Sequence, residues 1–251
     1  MTVHQAPAKL TWFLEVTKTR DTGWHELRSE MVTLSLCDEL DIDETSDYVM
    51  MSGETNGVEP GPTNLVSRAL LLANRRAGVS LTKHIPTGGG LGGGSADAGA
   101  ILRWAGGVSV EAALTLGSDV PFCQLGGRAL VEGLGEQLTP LEFIERPVTL
   151  ALFDFGVSTQ AVYKRFDELD RAGEARDPRN HLTRAAQLVE PRVAIAQGWL
   201  AAEFGEEVVL AGSGATLFIE GHLRTDIDQW EVESPVGRVR LRQVQTTPAG
   251  A

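Results

Sequence analysis

Pro86-Thr-Gly-Gly-Gly-Leu-Gly-Gly-Gly-Ser95-Ala96, with six glycines in eleven residues, is the segment best suited to chemistry on an anion. Ser80-Leu-Thr-Lys-His-Ile85 before it alternates apolar and polar residues, as a half-buried strand does. Ala98, Ile101, Leu102 and Ala105 after it recur at helical spacing, with Ser95 as the expected cap. A strand, a glycine loop and a helix start present free backbone N–H groups and the positive end of a helix to phosphate. Glycine lets that backbone approach closely because no Cβ intervenes. Gly88, Gly90 and Gly93 also spell G-x-G-x-x-G, but the acid required about 20 residues on falls at Glu111, inside the helical Val110-Glu-Ala-Ala-Leu114. No Gly-Lys-Ser/Thr follows, which excludes a Walker loop. A linker would lack the flanking strand and periodic helix. The pattern reads as nucleotide phosphate binding.

Other chemistry-bearing residues stand in short blocks: Lys9 in Pro7-Ala-Lys9, Trp24 and His25 in Gly23-Trp-His-Glu-Leu27, and Asp119 in Gly117-Ser-Asp-Val-Pro-Phe122. Singly, each has a plain structural explanation. Lys9 fits a surface lysine, His25 an exposed turn residue, and Asp119 a helix cap.

The elements that position them follow from periodicity. Leu10, Trp12, Leu14 and Val16 mark one strand, and Val32, Leu34 and Leu36 a second, with residues 20–25 between them. Residues 52–62 are turn-rich, and a helix begins near Thr63. Ala129–Val131 and Val148–Phe153 read as strands. Ser158-Thr159 caps a helix with Val162, Phe166 and Leu169 inward, and helix over 181–204 breaks near Pro191. Glu207–Ala211 and Ala215–Ile219 are strands around Gly212-Ser-Gly214. Val239, Leu241 and Val244 mark the last strand, with Arg238, Arg240 and Arg242 toward water and a loose tail over 246–251. The expected architecture is two α+β lobes, 1–145 and 146–245, meeting at a cleft.

Composition narrows the partners. The chain has 251 residues, 42% hydrophobic and 22% charged, as an ordinary globular protein does. A net charge of −12 argues against nucleic acid and anionic membranes, and leaves Lys9, Lys18, Arg20, Arg28, Lys83 and His84 as local cations for a phosphate ligand. No apolar run reaches membrane-spanning length and no secretion signal is visible, so a cytoplasmic protein is expected. Cys37 and Cys123 match no metal spacing and read as reduced thiols. A monomer or weak homodimer is the expected assembly.

The string Pro86-x-x-x-Gly90-Leu-Gly-Gly-Gly-Ser-Ala-Asp97 closely resembles the phosphate loop of the GHMP small-molecule kinases. Ala8-Lys9, Gly23–Leu27, Gly117–Phe122 and Gly212–Gly214 stand in the order of the branch acting on 4-diphosphocytidyl-2-C-methyl-D-erythritol, as does Phe155–Thr159 with Val162-Tyr163. The resemblance spans nearly the whole chain. Its glycine loop says only GHMP; the histidine block is the discriminator.

That resemblance implies a ribosomal-protein-S5-like N-terminal lobe, a ferredoxin-like C-terminal lobe, and ATP with Mg²⁺. It gives Lys9 and Asp119 the catalytic roles, Asp119 orienting or deprotonating the hydroxyl. It gives ATP to Pro86, Thr87, Gly88, Gly89, Gly90, Leu91, Gly92, Gly93, Gly94, Ser95 and Ala96, together with Asn64, and lets Ser95 touch the metal. The second substrate falls to Thr11, Trp24, His25, Tyr163 and Asp119, with the cytosine ring between Trp24 and Tyr163 and His25 at its edge. Thr11 stands where the family has Asn, Trp24 where it has Tyr, and Ser118 where it has Ala. Two alternatives stay open: another GHMP kinase for a homoserine- or mevalonate-like alcohol, and an inactive nucleotide-binding homologue.

Overall fold

The alternation between Leu10 and Val16 extends well beyond its apolar centre. In the computed structural model, which describes residues 2–250 except 56 and 175, β1 (Thr2–Thr19) pairs antiparallel with β2 (His25–Asp43). There follow β3 (Tyr48–Gly53), α1 (Leu65–Leu72), β4 (Gly78–Lys83), α2 (Gly93–Trp104), α3 (Val110–Leu114), α4 (Val120–Leu125), β5 (Arg128–Gly133) and β6 (Gln137–Pro140). The chain continues with β7 (Pro147–Phe153), α5 (Thr159–Arg171), α6 (Thr183–Val189), α7 (Pro191–Phe204), β8 (Val208–Leu210), β9 (Leu217–Glu220), β10 (Gln229–Ser234) and β11 (Gly237–Thr247).

β2 is the hub of the sheet. β1 runs along one of its edges, and β5, the tip of β11 and β4 succeed one another along the other. β3 lies parallel to β4, the pairing that a helical crossover such as α1 permits. β11 carries the sheet onward to β7, β9 and β8, with β10 on its far edge. Val66 and Ala69 of α1, Ile101 and Leu102 of α2, and Phe122 of α4 pack against Leu34, Leu40 and Leu81 in one core. Val162, Phe166 and Leu169 of α5 pack with Leu200, Leu217 and Leu241 in a second. Each such side chain contributes about 1.5–3 kcal/mol when fully buried.

Local signals set several ends. Ser158 Oγ accepts from Ala161 N at 3.3 Å and starts α5. Pro191 has no N–H and holds Glu190 extended (φ −134°), which separates α6 from α7.

Other expectations are corrected. The cap of α2 is Gly92, in the left-handed region (φ 68°), so Ser95 lies inside the first turn. The end of the chain is not loose from residue 246: Thr246 N donates to Arg146 O at 3.0 Å and Thr247 pairs with Thr33. Arg240 does not simply face water, because its guanidinium meets Glu54 at 2.6 Å. Residues from both sides of position 145 meet in each core. Leu14 and Val16 join the second core, while Val148, Leu150 and Phe218 join the first. Among the described residues, no helix is long and apolar enough to cross a membrane. Cys37 and Cys123 are unpaired.

Candidate active site

The glycine loop lines a cavity of about 1400 Å³ from Pro86 to Ser95. Two flanking segments grip it: Lys9 N donates to Leu91 O at 3.0 Å, and Thr216 N donates to Gly89 O at 3.1 Å. Gly90 (φ +81°) shows why no side chain is accepted. A Cβ there would stand 2.7 Å from Ala211 O and 2.9 Å from Gly214 O. The first N–H groups of α2, at Gly93, Gly94 and Ser95, have no intrahelical acceptor and border the cavity at the positive end of the helix. Ala96 is different: it is buried, and its N–H donates to Gly92 O at 2.8 Å, so it is a helix residue off the cavity wall. Asn64 borders the cavity, but its side chain caps α1, with Oδ1 accepting from Val66 N at 2.9 Å and Nδ2 donating to Glu59 O at 3.2 Å. Thr87 Oγ1 donates to Glu54 O at 3.1 Å.

Lys9 and Thr11 are alternate residues of β1 and so project to one face. Lys9 Nζ lies 3.1 Å from Asp119 Oδ2 and donates to Thr11 Oγ1 at 3.2 Å. Asp119 occupies the N-cap position of α4, yet its side chain makes no capping bond. Its carboxylate is turned to Lys9 and the cavity instead. A lysine as buried as Lys9 must be paired, because an unpaired interior charge is costly. No cluster of three or more acids, histidines or cysteines suited to a metal occurs among the described residues. Ser95, on the cavity wall, makes no side-chain hydrogen bond there. It fits as a single oxygen ligand to a metal held mainly by phosphates.

Sequence reasoning counted Lys83 only as one local cation. It is 4% exposed and lies between two carboxylates, Asp38 and Asp97, the latter at 2.6 Å. Asp38 Oδ1 also accepts from His84 N at 2.5 Å and Ile85 N at 2.8 Å, which ties β2 to the approach of the glycine loop. Asp97 Oδ1 is buried without a partner. Burial pushes the Asp97 carboxyl up to about 8, Lys83 opposing and Asp38 reinforcing, which favours its protonated form. A Cβ on Gly93 would stand 3.2 Å from Lys83 Nζ, which puts this cluster directly under the first turn of α2. Lys83 and Asp97 flank the loop in sequence, but nothing local marks them as partners.

At the other end, Trp24 sits in the tight turn between β1 and β2, where Gly23 N donates to Arg20 O at 2.8 Å. Trp24 is 60% exposed at the cavity rim. His25 opens β2 rather than lying in a turn. Its ring lies on Tyr163, with centroids 4.7 Å apart, and Nε2 is 2.7 Å from Asp167 Oδ1. Trp24, His25 and Tyr163 therefore share one cavity, but Tyr163 rests against His25 and Trp24 stacks on no ring among the described residues. The sequence reading missed Asp167, Lys164 and Gln160, which line this end from α5. Tyr163 with Asp167 carried a usable signal, since residues four apart on a helix share a face. Lys164 pairs with no carboxylate among the described residues. Asn180 was missed too; its Nδ2 donates to Leu210 O at 2.9 Å and Gly212 O at 2.7 Å, fixing the turn that grips the glycine loop.

Residues 64–127 match the GHMP kinases N terminal domain. A 4-diphosphocytidyl-2-C-methyl-D-erythritol kinase of Ruegeria pomeroyi is 36% identical over 85% of this chain and 86% of that protein. The kinase of the same name from Geobacter metallireducens is 38% identical over 64% of this chain, and that alignment spans 63% of its length. A crystal structure of 4-(cytidine 5'-diphospho)-2C-methyl-D-erythritol kinase superposes with a TM-score of 0.71 at 28% identity, covering 100% of both chains.

Proposed function

The chain belongs to the 4-diphosphocytidyl-2-C-methyl-D-erythritol kinase family of GHMP kinases, and from that premise we propose that it phosphorylates the 2-hydroxyl of 4-diphosphocytidyl-2-C-methyl-D-erythritol with ATP, supplying isoprenoid precursors. The observation that carries this reading is the Lys9–Asp119 pair, 3.1 Å apart, in one cavity with both the glycine loop and the Trp24–His25–Tyr163 end.

The N–H groups of Gly89–Ser95 would hold the phosphates of ATP, and Ser95 Oγ would reach a magnesium ion bound with them, which would supply charge neutralisation. The substrate hydroxyl lies at Asp119. Its oxygen bonds to the γ-phosphorus, the bond from that phosphorus to the bridging oxygen of ADP breaks, and the hydroxyl proton passes to Asp119. Lys9 orients Asp119 through their 3.1 Å pairing and faces the transferring phosphoryl oxygens. Thr11 fixes Lys9 from behind. The methylerythritol diphosphate then runs toward Lys164, and the cytosine lies against Trp24 and the His25–Tyr163 pair.

A cytoplasmic monomer or weak homodimer, with a lobe boundary near residue 145, completes the reading. Support comes from the two unpaired thiols and the net charge of −12, which disfavours nucleic acid and anionic membrane as partners. The test is ADP release from ATP and magnesium with the cytidyl substrate, homoserine or mevalonate, each assayed separately. Turnover confined to the first is the expected result; turnover with another alcohol, or with none, overturns the assignment.

A further inference from the structure

Asp167 lines the base end of the cavity but has no part in phosphoryl transfer. Its Oδ1 lies 2.7 Å from His25 Nε2. An ionised carboxylate only accepts hydrogen bonds. In the neutral ring, therefore, Nε2 carries the proton and Nδ1 keeps its lone pair. Nδ1 has no partner among the described residues. The only buried side-chain nitrogen or oxygen atoms without a partner among the described residues belong to Asp41 and Asp97, so His25 Nδ1 is not sealed off, and the residue lines the cavity. The ring is also fixed in place. Tyr163 lies on it at 4.7 Å and Phe166 meets it edge-on at 6.1 Å. Tyr163 and Asp167, one turn apart on α5, hold its face and its edge together.

A lone pair fixed at one point accepts from a donor and repels another acceptor. Pyrimidine bases differ in this respect: cytosine carries a 4-amino donor where uracil carries a 4-oxo acceptor. We propose that Asp167 is a positioning residue that gives the site its preference for cytosine over uracil, by holding His25 with its proton on Nε2 and its Nδ1 lone pair toward the base. This rests on the reading of the base end as a cytidine site. Without Asp167 the ring is free to place its proton on Nδ1, which would donate to uracil as readily as the other tautomer accepts from cytosine.

The test is calorimetric binding of CDP and UDP to the full chain and its variants. The parent should bind CDP about tenfold or more tighter than UDP. Asp167→Ala should bring that ratio close to one while leaving the KM for ATP unchanged. Asp167→Asn, whose amide can accept from Nε2 or, flipped, donate to it, no longer fixes the tautomer and should lose much of the ratio while keeping the side chain's volume. Both nucleotides see the same folded fraction, so a merely structural defect lowers both affinities and spares the ratio. His25→Ala separates the two levels of the argument. If it abolishes the preference while Asp167→Ala retains it, the positioning role is overturned and the cytidine site stands. If the parent shows no preference, or His25→Ala leaves it intact, both fall.

Discussion

At the glycine-loop end the cavity wall is backbone, and at the base end it is side chain. The loop is pinned by main-chain bonds from Lys9 and Thr216, and a Cβ at Gly90 would strike two carbonyls. The base end is made of rings and polar tips from the β1–β2 turn and α5, far apart in sequence, with Trp24 60% exposed. A phosphate wall made of N–H groups serves any ATP-dependent member of a fold family, so its sequence is dense and local. A wall that reads one particular base needs only a few side chains, and these can change without disturbing the core. Lys9 and Asp119 stand where the two ends meet.

The comparison is tested most severely at that junction. Asp119→Asn should lower kcat by about 10²–10⁴-fold, the range of a lost general base, with ATP affinity and melting temperature little changed. Turnover close to that of the parent in a steady-state assay would remove Asp119 from the chemistry. The next largest effect belongs to the base end. Trp24→Ala should weaken the cytidyl substrate by ~1–3 kcal/mol, or about 5–150-fold, with a constant KM for ATP. Because the indole is largely exposed, the variant should melt with the parent; equal losses for both substrates would instead make Trp24 structural.

Gly90→Ala probes the opposite wall. It should cost about 1–3 kcal/mol in strain and raise the KM for ATP more than that for the second substrate, since the carbonyls it meets are backbone and cannot swing aside. Steady-state kinetics against both substrates would check this, and a variant with unaltered ATP kinetics would show that the loop has room to spare. The smallest effect concerns the cluster below the loop. Burial raises the Asp97 carboxyl to about 8 in the fold from an ordinary 3.8. Between those values the folded chain holds a proton that the unfolded chain releases. The contribution of this group to stability is thus full below the unfolded value and is lost as pH rises through the folded one. Melting temperature should fall between about pH 5 and about pH 9, and Asp97→Asn, which stays neutral, should flatten that fall. An equal slope in both proteins would mean that Asp97 is ionised throughout.

Much of the fold was legible because amphipathic periodicity is local. The alternation at Leu10–Val16 and the spacing of Val162, Phe166 and Leu169 both reappear as buried faces. Strands without that contrast were not legible. β10 presents Glu231 and Glu233 to Arg240 and Arg238 across its pairing with β11, a surface hairpin with weak apolar patterning. β3 is an edge strand with Met50 exposed.

The sequence by itself determined the phosphate loop, because glycine at successive positions is a direct statement about backbone geometry. It also determined the order of the blocks holding Lys9, His25 and Asp119. Only the tertiary structure decided what each block touches. It turned Asp119 from a possible cap into the partner of Lys9, set Asn64 to capping a helix, and removed Ala96 from the cavity wall. It buried Lys83 between Asp38 and Asp97, and set Asp167 against His25 across 142 positions of chain. A charged residue bears no local mark of whether water or an opposite charge will neutralise it. That depends on which distant element is packed over it, and burial then makes the pairing obligatory.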